Sequence, residues 1–120
     1  MTMERIPIAQ IGSCLLATIQ VDMHDRLALA LREDLGRELV RTQASGVLLD
    51  ITALDTLDTF IARLLADIGS MARLLGAETV LVGMRPAVAM TLVELGLTLE
   101  GVLTALTVER GMSLLSRAAS

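Results

Sequence analysis

The sequence predicts a single α/β domain: a mixed, largely parallel β-sheet with an N-terminal strand pair and about four helices. Three observations carry that expectation. Short apolar runs alternate with longer segments whose apolar residues recur at helical spacing, the pattern of a sheet crossed over by helices. The interior runs "GVLLDI" and "ETVLVGM" are apolar almost without a break, as strands covered on both faces are. A length of 120 residues suffices for one core, and no linker, repeat or low-complexity stretch divides the chain.

"ERIPIAQIG" and "SCLLATIQV" are strand-like runs separated at Gly12-Ser13, which predicts a hairpin. "VDMHD" supplies a helix start, with Asp22 able to cap and Asp25 placed where negative charge suits the helix dipole. Leu27, Leu31, Leu35 and Leu39 follow at four-residue steps, and Glu33 and Arg37 are spaced to pair along the surface. "GVLLDI", opened by Gly46, reads as a buried parallel strand, and a loop continues through Asp58. Ile61, Leu64, Leu65, Ile68, Met71, Ala72 and Leu75 then mark one apolar helix face that ends at Gly76. "ETVLVGM" is the next strand. "RPAVAMTLVELG" sets a proline at the first helical position and stops at Gly96. A short strand near Leu103 to Thr107 and a helix from Val108 to Ala118 complete the order β-β-α-β-α-β-α-β-α.

Composition narrows the function. The chain is 53% hydrophobic with a mean hydropathy of +0.66. That surplus points to apolar surface covered by partners, although a tightly wound α/β domain can absorb much of it. Fourteen acidic residues against ten basic ones give a net charge of −4. The arginines are scattered and Phe60 is the sole aromatic, so neither a phosphate-binding patch nor a stacking platform is present, and no nucleic acid is expected as a partner. The single Cys14 sits in a strand-like run as a small hydrophobe, and the lone His24 has no second ligand nearby, so no metal site is expected. The uncharged run from Ile6 to Val21 holds Pro7, Gln10, Gly12 and Gln20 and falls short of the roughly 20 apolar residues a span requires. "IGSC" has a slight likeness to a lipoprotein cleavage site, but Glu4-Arg5 makes a poor basic leader. No membrane partner and a cytoplasmic location are the resulting expectations.

Enzyme chemistry finds no parts. There is no glycine-rich phosphate loop, and one histidine without supporting groups cannot build a triad or an acid–base pair. No cofactor and no catalytic residue are expected. Asp55 and Asp58 form a carboxylate pair, but carboxylates at a helix start are commonly dipole partners.

That pair lies in "LDTLDTFIARLL", the most informative stretch. Asp58 is a good N-cap, able to accept from the backbone N–H of Phe60 or Ile61. Thr59 then falls at N1, exposed and dispensable to the helix. Capping explains Asp58 and leaves Thr59 and Phe60 unexplained. A helix start tolerates a phosphate, so a modification role for Thr59 stays open on position alone.

Beyond position, the chain resembles the STAS-domain superfamily of anti-sigma-factor antagonists, in particular the RsbS-like scaffolds of the bacterial stressosome. The likeness runs along nearly all of the chain, with the STAS domain expected over residues 1–120. It rests on "IPI" followed by "CLLATIQ", on "EDL", "SGVLLDIT" and "LDTLDTFIARLLADI", and on "VLVGMRPAVAMTLVELG". The resemblance implies a phosphoacceptor at Thr59, with Asp55, Asp58 and Phe60 beside it in the partner-binding surface. It implies an RsbT-like switch kinase held by the unphosphorylated scaffold and released on phosphorylation, an RsbX-like phosphatase that resets it, and RsbR-like STAS co-scaffolds in a homo-oligomer or large hetero-oligomer. Threonine stands where RsbS-like proteins carry serine, as in the RsbR-like co-scaffolds, which have an additional N-terminal sensor domain; the length and Phe60 favour the RsbS-like reading. Simple antagonists usually read Asp-Ser-Ser-Gly here, unlike "DTFIA". A free antagonist that binds an anti-sigma-factor kinase directly is the alternative, and a small-ligand or nucleotide-binding module is a third reading.

Overall fold

The computed structural model describes residues 5–20, 23–97 and 99–119. Its elements are β1 (Ile8–Ile11), β2 (Cys14–Thr18), α1 (Asp25–Thr42), β3 (Gly46–Asp50), α2 (Thr59–Leu74), β4 (Glu78–Val82), α3 (Pro86–Glu94), β5 (Val102–Ala105) and α4 (Val108–Ala119). This is the order the sequence predicts. The last strand begins one residue earlier and ends two earlier than expected.

β1 and β2 form the antiparallel hairpin, with Ile8 opposite Ala17 and Ile11 opposite Cys14. Strands β2 to β5 are parallel, and the sheet runs in sequence order, β1-β2-β3-β4-β5. Each crossover steps one strand in the same direction. Right-handed crossovers of that kind put their helices on one face. Buried residues of α1, α2 and α3, such as Leu35, Leu65 and Val88, accordingly share a core with Leu15, Val47, Leu49 and Leu81. The alternate strand residues Cys14, Leu48, Val80 and Val82 face the other way and meet Leu115 of α4. The expected continuous apolar runs therefore have a direct cause: β3 and β4 are covered twice.

Helix ends follow local chemistry. α2 and α3 close alike: Ala77 N–H donates to Ala72 O at 2.8 Å and Gly76 N–H to Arg73 O at 3.0 Å, while Leu97 N–H donates to Leu92 O at 3.1 Å and Gly96 N–H to Val93 O at 3.0 Å. Both motifs need a residue at positive φ, supplied by Gly76 (φ 83°) and Gly96 (φ 67°). As a result Leu75, expected on the buried face of α2, is its C-cap and is 44% exposed.

α1 differs from expectation in two details. His24 is the N-cap, its Nδ1 accepting from Leu27 N–H at 3.2 Å; the expected cap Asp22 lies outside the described residues. Arg37 pairs with Asp34 at 2.6 Å rather than with Glu33. Asp34 is the more sheltered carboxylate, and Arg5 reaches it from the N-terminal segment at 2.8 Å, so two guanidinium groups converge there.

Candidate functional site

All four helices begin beside the C-terminal ends of the parallel strands, the edge where open α/β sheets present their loops. The segment between β3 and α2 is held down there by hydrophobic anchors. Ile51, Leu54 and Leu57 are buried at 0%, 3% and 7% exposure, while Asp55, Thr56 and Asp58 between and after them are exposed. Ile51 N–H donates to Val82 O at 2.9 Å, extending the β3–β4 ladder into the loop. The loop is therefore a fixed platform for the polar side chains it carries.

A second set of contacts braces it from the side. Asp50 Oδ1 accepts from the Thr52 backbone N–H at 2.9 Å and from its hydroxyl at 2.6 Å. Arg85, just before α3, donates from Nε to Thr52 O at 2.9 Å. Gly83, at φ 76°, lies so close that a Cβ there would collide with the Thr52 hydroxyl. The β4–α3 turn is thus seated on the β3–α2 loop.

Asp58 is extended (φ −99°, ψ 172°), and its Oδ1 accepts from Ile61 N–H at 2.8 Å. This selects N3 of the two acceptor positions the sequence leaves open. Thr59 is the first helical residue and is exposed. Phe60 is 37% exposed, an unusual place for the sole aromatic of a chain rich in buried leucine. Asp55, Asp58, Thr59 and Phe60 thus lie together in one loop and helix start, and the structure leaves all four exposed. Asp58 alone has a structural duty in that set. No acidic residue occupies the first turn of α2, so the positive helix end faces Thr59 with the capping carboxylate beside it.

Two arginines near this surface were not singled out from the sequence. Arg63 is four residues beyond Thr59 and exposed, a spacing that places both on one helix face; the interval is visible in the sequence itself. Arg85 comes from a different connection, and its placement depends on the β4–α3 turn. Cys14 is 4% exposed. Burial pushes its thiol up, against a weaker opposing hydrogen bond with the Ser13 side chain, so it is a poor nucleophile. Among the described residues no group of three or more His, Cys, Asp or Glu side chains could hold a metal ion. No helix of the described residues is long and apolar enough to cross a membrane.

The family model described as "STAS domain" matches residues 5–110. The RsbT co-antagonist protein RsbRA of Bacillus subtilis (strain 168) is 34% identical over 98 residues, which cover 82% of this chain and 34% of that protein. The chain thus spans about a third of that relative's length. Among solved structures, a serine-to-glutamate variant of Moorella thermoacetica RsbS superposes with a TM-score of 0.85 at 35% identity, covering 97% of this chain and 98% of that one. A chain from the molecular architecture of the stressosome, described as a signal integration and transduction hub, superposes with a TM-score of 0.83 at 36% identity, covering 94% and 98%.

Proposed function

The chain belongs to the STAS-domain family of anti-sigma-factor antagonists, in its RsbS-like branch, and from that premise we propose that it is a non-catalytic cytoplasmic stressosome scaffold. It holds an RsbT-like switch kinase and releases it when Thr59 is phosphorylated; an RsbX-like phosphatase resets the state. RsbR-like STAS proteins are its partners in the assembly. The observation that carries this reading is the exposed Thr59 hydroxyl at the start of a helix whose cap, Asp58, is already engaged with Ile61.

Local electrostatics suffice for release. A phosphate adds about −1.5 to −2 charges and three acceptor oxygens. Asp55 and Asp58 give it acidic neighbours, so a partner's acidic group meets added repulsion. One unit pair at about 4 Å is worth roughly 1 kcal/mol in water and about 4 near a protein surface. A hundredfold loss of affinity needs only about 2.8 kcal/mol. Repulsion and lost contacts therefore reach that level without refolding. Within the domain, the helix dipole and Arg63 favour the added charge.

Incubation with the cognate kinase and ATP, followed by mass spectrometry and kinase pull-down, tests the reading. Thr59→Ala is expected to stay folded, retain the kinase and resist modification. Thr59→Asp is expected to weaken retention only in part, since one carboxylate carries less charge and fewer oxygens than a phosphate. Phosphate mapped to Thr56, or kinase still lost from Thr59→Ala on adding ATP, refutes the assignment.

A further inference from the structure

The sheet ends at β1, and that end is finished neither along its edge nor on one of its faces. β1 is a terminal strand whose sheet neighbour is β2 alone. A two-residue turn, Gly12-Ser13 with Gly12 at φ 59°, joins the two strands. Ile11 and Cys14 are therefore a hydrogen-bonded pair, and the pairing alternates from there. Ile11 and Ala9 spend their backbone groups on β2, while Ile8 and Gln10 turn theirs to the open edge. Among the described residues nothing bonds to those groups. Edge strands are commonly guarded by a charge, a bulge or an internal proline. Ile8–Ile11 pairs in unbroken register and carries none of the three. The opposite edge differs, since α4 packs chiefly on β5, β4 and β3. That helix leaves its side of the hairpin open: Ala9 is exposed there, and Ile11 and Leu16 are only half-buried.

We propose that β1 is a homodimer edge: two copies of this chain pair β1 with β1, antiparallel about a two-fold axis, into one continuous sheet with five strands from each copy. The outward groups fix the register. Ile8 N–H donates to Gln10 O of the second copy, and Ile8 O accepts from that residue's N–H. The two-fold repeats both bonds and sets Ala9 opposite Ala9 of the second copy, in the close non-hydrogen-bonded position. Pairing of this strand with itself satisfies every outward group on both sides. A stable interface buries upward of about 1,000 Å², more than a four-residue edge supplies, so the groove beside Ile8 enters the contact. That groove carries Arg5, Arg37 and Arg41 against Glu33, Asp34 and Glu38. A surface so balanced meets its own copy without net repulsion, where a surface of one sign would not. The axis stands perpendicular to the sheet, so the exposed Ala9 side chains of the two copies shelter one another. The proposal rests on the self-association in the scaffold reading and names its surface. A two-fold contact closes after two copies, leaving Leu74, Met90 and Val93 free for growth beyond the dimer.

Sedimentation velocity of the full chain and of Gln10→Pro tests the proposal. The proline removes an outward N–H that β2 does not use. The loss occurs twice per dimer and is expected to raise the dissociation constant at least about tenfold. Should that variant fail to fold, oxidative cross-linking decides. Ala9→Cys, in a Cys14→Ala background that leaves a single thiol, brings two sulfurs together across the axis. The Cα separation there is about 4.5 Å, inside the range a disulfide bridges. Cross-linking is expected at least about tenfold faster than for Ser116→Cys in the same background, an exposed position on α4 away from the edge. Three results overturn the proposal: a parent chain that stays monomeric alone up to about 100 µM, a folded Gln10→Pro protein that associates like the parent, or Ala9→Cys cross-linking no faster than Ser116→Cys. The first leaves the scaffold reading standing if an RsbR-like STAS protein still draws the chain into a larger species. The other two leave it standing outright and move the self-contact to another surface.

Discussion

Asp58 and Thr79 are both polar side chains beside buried backbone, and their energetic signs are opposite. Asp58 spends its carboxylate on Ile61 N–H, 2.8 Å away, satisfying a donor that the helix itself cannot. Asp58→Ala should therefore lower stability by about 0.5–2 kcal/mol, read as an earlier denaturant midpoint with an unchanged slope. An unchanged midpoint would mean that another side chain takes over the cap. Thr79 in β4 is 1% exposed, and its hydroxyl has no hydrogen-bond partner among the described residues. Burying a hydroxyl in that state costs about 1–3 kcal/mol, whereas valine keeps the branched shape without the polar atom. Thr79→Val should raise the unfolding free energy by about 1 kcal/mol; a loss of stability in the same measurement would show that the hydroxyl is satisfied in solution.

Helices pack as closely as their smallest residues allow, and two glycines in helix interiors show when that closeness matters. Gly36 in α1 faces the tip of Met71, whose sulfur would stand 3.2 Å from an added Cβ. That flexible, half-exposed side chain can give way, so Gly36→Ala should gain most of the roughly 0.5–1 kcal/mol that alanine adds to a helix interior. A Cβ added at Gly111 in α4 would stand 2.6 Å from Leu48 Cδ2, with Val80 and Val82 behind it, all at 2% exposure or less. No room exists for the methyl group, and overpacking of about 1–3 kcal/mol should exceed the propensity gain. Thermal unfolding of the two variants should therefore move in opposite directions; parallel shifts would contradict this packing. The same distinction explains what the sequence could reveal. Periodicity and the Pro86 and Gly76 signals located the elements because those cues are local. Asp58 as a cap and Thr59 at N1 were legible for that reason. The His24 cap, the Arg37–Asp34 pair and the exposure of Leu75 were not, because a nearby alternative acceptor, a cation from the N-terminal segment and a helix-ending turn decided them. Arg85 against Thr52 joins two loops far apart in sequence.

At the scale of the whole molecule, the apolar surplus of the sequence does not all go inside. Leu35, Leu48, Leu49, Ile51, Ile68 and Leu81 are fully buried, yet Leu74, Val93, Leu106 and Met90 are 88%, 79%, 71% and 63% exposed. Single exposed hydrophobic side chains are ordinary on a protein surface. Leu74 at the end of α2, Met90 and Val93 on α3 and Leu106 after β5 give self-association or a partner several apolar points to cover. The scaffold reading requires such association, and a free antagonist does not. Sedimentation velocity at micromolar protein should therefore show a species well above 12.8 kDa, growing further when an RsbR-like STAS protein is added. Apolar contacts are screened little by salt, whereas surface ion pairs weaken beyond a Debye length of about 10 Å at 0.1 M. Raising salt from about 0.1 to 0.5 M should then leave the association intact or strengthen it, since apolar burial is the driving term. A protein that sediments as a monomer both alone and with its co-scaffold would instead favour the free antagonist, and dissociation by salt would place the contact on the arginine and carboxylate surface rather than on these leucines.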